Sequence, residues 1–85
     1  MQTEESQATV RRFFAALHTL IEGKRLRGMQ TFTRRYGINR RNFLTLEKQP
    51  ERDMFQLEWF TALVRDWGVS ARWLLTGEGE MFGER

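Results

Sequence analysis

Polar donors crowd the segment Asn39-Arg40-Arg41-Asn42-Phe43-Leu44-Thr45-Leu46-Glu47-Lys48, and their order suits contact with a polyanion. Wound as an α-helix with Phe43 and Leu46 turned inward, it projects Arg41, Thr45 and Lys48 from the opposite side. Leu44 then lies beside them, and Arg40 flanks the same face. An α-helix fits the major groove of duplex DNA, where side chains in its first turns reach base edges. An arginine fork pairs with the two acceptors of guanine and also neutralises phosphate. Leu44 can meet a thymine methyl, while Asn39 and Asn42 are short donors suited to phosphate oxygens at the groove edge. Cations at a helix start oppose its dipole by roughly 0.3–1 kcal/mol each. Arg40 and Arg41 therefore fit a role in which an anion arrives from outside.

The surrounding charge agrees. Residues 24–48 hold eight basic side chains (Lys24, Arg25, Arg27, Arg34, Arg35, Arg40, Arg41, Lys48) and one acid, Glu47. The preceding residues carry two bases against three acids, and those after position 48 carry four against seven. A basic island between acidic flanks is a candidate footprint for nucleic acid.

Other chemistries find few residues to work with. Cysteine is absent, so thiolate catalysis, disulfides and cysteine–zinc sites are excluded together. His18 is the one histidine, set between Leu17 and the apolar Ile21 one turn on, and is expected at a core or solvent edge rather than on a metal. Glu78 and Glu80 offer carboxylates on a glycine-rich tail, a poor platform for acid–base catalysis. Gly77-x-Gly79 lacks the lysine and strand context of a phosphate loop. The expectation is a binding protein, not an enzyme, with no cofactor, metal or small-molecule ligand. The apolar runs at residues 13–17 and 60–64 are too short to span a bilayer, and the acidic N-terminus is unlike a secretory signal. A cytoplasmic protein, associated with the nucleoid when bound, is expected.

Five helices must position the basic face. The spacing of Val10, Phe13, Phe14, Leu17, Leu20 and Ile21 predicts an amphipathic helix over residues 6–22, capped at Thr3 or Ser6 and ended by Gly23. A basic linker, 24–28, leads to a short helix over 29–36 with Phe32 and Tyr36 on one face. Gly37 leaves that helix in the left-handed conformation, and Asn39 caps the third helix, with Phe43 and Leu46 as its buried pair. Residues 49–52 form a loop around Pro50. Asp53 and Gln56 read as a capping box for a fourth helix over 54–67, whose apolar positions are Phe55, Leu57, Phe60, Leu63, Val64 and Trp67. Gly68 closes it. Ser70 caps a fifth helix over 71–75, ended by Gly77, and Met81 and Phe82 of the tail 78–85 fold back onto the core. All 85 residues form one domain, with 1–5 as a flexible N-terminus.

Two stretches carry a family likeness. The run from Phe32 through Gly37-Ile38-Asn39 to Phe43-Leu44-Thr45-Leu46-Glu47 resembles the helix-turn-helix of lambda-repressor-like regulators. Trp67-Gly68-Val69-Ser70 and Trp73-Leu74-Leu75-Thr76-Gly77-Glu78-Gly79-Glu80-Met81-Phe82 resemble that family's closing signature. The resemblance implies an all-α, compact five-helix domain whose helix-turn-helix is formed by helices 2 and 3 and binds duplex DNA, as a repressor-like transcriptional regulator. It implies base contact by Arg40, Arg41 and Thr45. Thr33 stands where the family favours alanine, and Met29 where a phosphate-contacting glutamine opens the second helix, with Gln30 next to it as a substitute.

The expected base contacts are thus Arg40, Arg41, Thr45 and Leu44, and the expected phosphate contacts Asn39, Asn42, Arg34, Arg35, Lys48, Arg27 and Gln30. Val10, Phe14 and Ile21 form a second apolar strip on the first helix, expected either beneath the tail or as a homodimer contact spanning two half-sites. The rival expectation is a protein-interaction module on the same scaffold, antitoxin-like or a phage accessory protein, binding through that strip and residues 73–82.

Overall fold

The first helix is long because an unbroken apolar stripe runs through good helix formers, and everything else packs on that stripe. A computed structural model describes residues 4–51 and 55–82. Among them are α1 (Glu4–Glu22), α2 (Met29–Arg35), α3 (Arg40–Lys48), α4 (Leu57–Trp67) and α5 (Ala71–Thr76). The fold is all-helical, with no strand among the described residues beyond one isolated bridge between Val69 and Phe82. Its Cα radius of gyration, 12.1 Å, matches the ~12 Å expected of a compact chain this long. None of these helices is long and apolar enough to cross a membrane.

Phe13 sits at the centre of the core. Its ring meets Phe14, Phe32, Phe43, Phe55 and Phe60 edge-on, at centroid distances of 5.0–6.0 Å, and Trp59 at 6.4 Å. Edge-to-face contacts favour the positive rim of one ring against the negative face of another. Leu17, Leu20, Leu26, Leu46, Leu63 and Leu74 complete a dry interior.

The start of α1 differs from expectation. It starts at Glu4, so Ser6 lies inside its first turn, and Thr3 is outside the described residues. The other end falls between Glu22 and Gly23 as expected, and the left-handed residue beyond it is Lys24, with φ 64°. The turn lets the amides of Arg25 and Leu26 both donate to the Leu20 carbonyl and carries Leu26 into the core. A side chain in this conformation costs roughly 1 kcal/mol that glycine avoids. Lys24→Gly is therefore expected to stabilise the domain by about 0.5–1 kcal/mol, read as a higher urea midpoint with unchanged slope.

The apolar strip of α1 is not a free surface. Val10 and Phe14 are 3% and 4% exposed, and the Phe14 ring lies 5.0 Å from Phe43. Helix α3, not the tail, covers Phe14. This removes Val10 and Phe14 as dimer contacts; Ile21 alone is half-exposed.

Helix α4 also starts late. Asp53 and Met54 lie outside the described residues, and Gln56 is the N-cap, extended at φ −110°, with no side-chain cap bond. Gln56 is therefore the N-cap itself, and the Asp53 half of the expected capping box lies outside the described residues. The extended step lets Phe55 reach the core, 5.0 Å from Phe13 and 4.3 Å from Phe60. It also rotates α4 so that Trp59, Ala62 and Leu63 face inward, and Leu57, expected inside, is left 76% exposed.

Ser70 caps α5 as expected, accepting from the Trp73 amide, and the helix runs one residue further, to Thr76. The start of the tail is held. Ser70 N donates to Met81 O at 2.8 Å, Arg72 pairs with Glu78, and Met81 and Phe82 pack on the core. The other end of α5 is closed from across the fold. Arg12 Nε donates to Leu74 O at 2.8 Å and its Nη2 to Leu75 O at 3.0 Å. A Cβ on Gly77, where φ is 82°, would come within 3.1 Å of Arg12 Nη1. Arg12→Ala leaves these terminal carbonyls without their donors. It is expected to cost about 1–2 kcal/mol in chemical denaturation, with Arg12→Lys recovering only part.

Candidate nucleic-acid interface

The turn between α2 and α3 decides where the basic residues point. Phe32 and Thr33 pin α2 inward, and the Thr33 hydroxyl donates to Gln30 O at 3.1 Å, so the residue in place of a small one is accommodated with its polar atom satisfied. Gly37 has φ 67°, and Ile38 N donates back to Thr33 O at 2.8 Å, closing the end of α2. Asn39 then caps α3: its side-chain oxygen accepts from Asn42 N at 3.0 Å. With Phe43 and Leu46 fully buried, Arg40, Arg41, Asn42 and Lys48 are exposed and Leu44, Thr45 and Glu47 half-exposed.

That outward face is the one expected. Arg40, Arg41, Leu44, Thr45 and Lys48 line a single shallow concavity. Arg40, Arg41 and Lys48 are exposed, and none pairs with a carboxylate among the described residues. Asn39 and Asn42 border a neighbouring concavity with Tyr36, Gln56 and Glu58. An anion approaching the two asparagines would therefore also meet the Glu58 carboxylate. Arg34, Arg27 and Gln30 are exposed but line neither concavity.

Arg35 differs. Its guanidinium lies over the rings of Tyr36 and Trp67, 5.4 and 5.6 Å from their centroids. This stacking holds it at the seam between α2 and α4 while it stays exposed.

The same seam fixes the orientation of α2. Tyr36 OH donates to Asp66 Oδ2 at 2.6 Å and accepts from Trp67 Nε1 at 3.2 Å, while Arg65 grips both Asp66 oxygens. Hydrogen bonds from Arg65, then from Tyr36, hold the Asp66 carboxyl well below the usual carboxylate range. Burial, then the bond to Asp66, raises the Tyr36 phenol above its ordinary 10.0. The lowered acid contributes stability above its ordinary 3.8, lost as pH falls; the raised phenol contributes below 10.0, lost as pH rises. The melting temperature of the native chain is expected to exceed that of Asp66→Asn near neutrality, and the gap to close as pH falls below about 4. A gap independent of pH would mean that the carboxylate charge is not what the seam uses.

A second long-range contact steadies the far end of α3. His18 Nε2 lies 2.5 Å from Glu47 Oε2, tying α1 to the last turn of α3. His18 is exposed, at the solvent edge, and among the described residues no group of three or more His, Asp or Glu side chains is placed to hold a metal ion. Sequence patterns missed Arg12, Asp66 and Trp59, whose partners lie tens of residues away. The only signal for Trp59 was its place three and four positions before Ala62 and Leu63.

Comparison of the chain with protein-family models, with curated proteins and with solved structures finds no match.

Proposed function

We propose that this chain binds duplex DNA by laying α3 in the major groove, as a repressor-like helix-turn-helix regulator of the lambda-repressor-like arrangement, and that it is not an enzyme. One observation carries the proposal: Arg40, Arg41, Thr45, Leu44 and Lys48 share one outward concavity on the side of α3 opposite its buried anchors. A fixed cap at Asn39 and a fixed turn at Gly37 support it, because base readout needs side chains presented on a rigid helix. Arg40, Arg41, Thr45 and Leu44 are assigned to base edges. Lys48, Arg34, Asn39 and Asn42 are assigned to phosphates, with Arg27 and Gln30 at the periphery.

The test is duplex binding by fluorescence anisotropy against salt. Engagement of four to six phosphates gives a log–log slope of about −3.5 to −5.5. Lys48→Ala is expected to weaken all sequences alike and flatten that slope by about one unit. A protein-interaction module is the second reading, favoured by the exposed Leu57 and Leu75. Absent or salt-indifferent DNA binding would decide for it.

A further inference from the structure

A single carboxylate, Glu58, lines the polar notch beside the α3 face, in company with Tyr36, Asn39, Asn42 and Gln56. Its neighbours there are mostly hydrogen-bond donors. The Asn39 side-chain oxygen is taken up by the Asn42 amide, so the group Asn39 has left to offer is its NH2. Asn42 and Gln56 bring further side-chain amides to the same notch. Amide donors next to an arginine-bearing helix start suit a phosphate oxygen, and one fixed negative charge among them opposes it.

Other acids close to this face are engaged. Glu47 of α3 is tied to His18, and Asp66, which holds the Tyr36 hydroxyl, is gripped by Arg65. Glu58 is exposed and has no ion-pair partner among the described residues. Its charge is therefore uncompensated where a DNA backbone would pass. A carboxylate in the first turn of α4 also complements the dipole of that helix. Such a structural role alone affects folding and leaves DNA binding untouched, so the two roles separate by measurement.

We infer that Glu58 limits the affinity of the α3 face for duplex DNA. It repels the phosphate held by Asn39 and Asn42, loosening a grip that Arg40, Arg41 and Lys48 make tight. The inference rests on the DNA-binding reading and names the residue that restrains it. The repulsion acts on backbone charge and not on base edges. It therefore weakens selected and random sequences alike, and their ratio is unchanged.

Fluorescence anisotropy in monovalent salt, with a selected and a random duplex, tests the inference through three variants. Glu58→Gln is expected to bind both duplexes about 3- to 10-fold more tightly than the native chain at about 50 mM salt. The gain should fall below about twofold at about 0.5 M, where screening is strong. Glu58→Lys is expected to gain at least about 10-fold and to steepen the log–log slope by about one unit. Glu80→Gln makes the same change in net charge as Glu58→Gln at a different concavity, beside α5, and should bind like the native chain. The melting temperature of Glu58→Gln should be equal to the native value or slightly lower, so a steadier fold is not the source of its tighter binding. A native chain that binds duplex DNA, with Glu58→Gln no tighter than native or no tighter than Glu80→Gln, overturns the inference and leaves the DNA reading standing. If the native chain and Glu58→Lys both fail to bind, the DNA reading falls and takes the inference with it.

Discussion

Phe13→Ala is expected to cost about 3–5 kcal/mol of folding stability, the largest loss of any single substitution in this chain. The ring lies amid Phe14, Phe32, Phe43, Phe55, Trp59 and Phe60, contributed by α1 itself, α2, α3, α4 and the segment before α4. Removing it opens a cavity bounded by other rigid rings, which cannot collapse without breaking their own edge contacts. A domain of this length has about 4–13 kcal/mol in total, so much of the population would unfold. Urea denaturation measures the loss directly. A change under about 1 kcal/mol would mean that the ring is not the keystone of the core.

Arg40→Ala together with Arg41→Ala is expected to reduce affinity for a selected duplex site at least about 100-fold, or roughly 3 kcal/mol. Bidentate base contacts are each worth about 1–3 kcal/mol, and adjacent residues need not add. On random-sequence duplex the loss should be far smaller, limited to two positive charges. Stability should move the other way. Both side chains are exposed at the start of α3, where cations oppose the helix dipole, so the doubly substituted chain should melt at the same temperature or slightly higher. Equal losses on selected and random DNA would reduce the two arginines to charge neutralisation.

Local patterns made much of this molecule legible from its sequence. Phe43 and Leu46 fixed the inward side of α3, and with it the outward set lining the concavity, because helical period leaves one choice once two anchors are named. Gly37, Asn39, Ser70 and Gly77 marked helix ends through short-range backbone chemistry. What escaped was long-range or competitive. Asp53 and Gln56 pointed to an earlier start for α4, but Gln56 is extended as Phe55 packs on the core, and Leu57 is turned out to solvent. Val10 and Phe14 looked like surplus apolar surface, but both are buried, Phe14 against Phe43 of α3. Arg35 looked free until Trp67, far along the chain, was placed beneath it. Arg12 is separated from Leu74 by 62 residues, a partnership no local spacing encodes.

The central claim is that the outward face of α3 enters the groove. Its most direct test is amide chemical-shift mapping of the 15N-labelled chain titrated with a duplex enriched from a random pool. The account predicts the strongest perturbations at Asn39 to Lys48, centred on Arg40, Arg41 and Thr45, with α4 and α5 little changed. Perturbations confined to the surface around Leu57 and Leu75, or none at any duplex concentration, would contradict it.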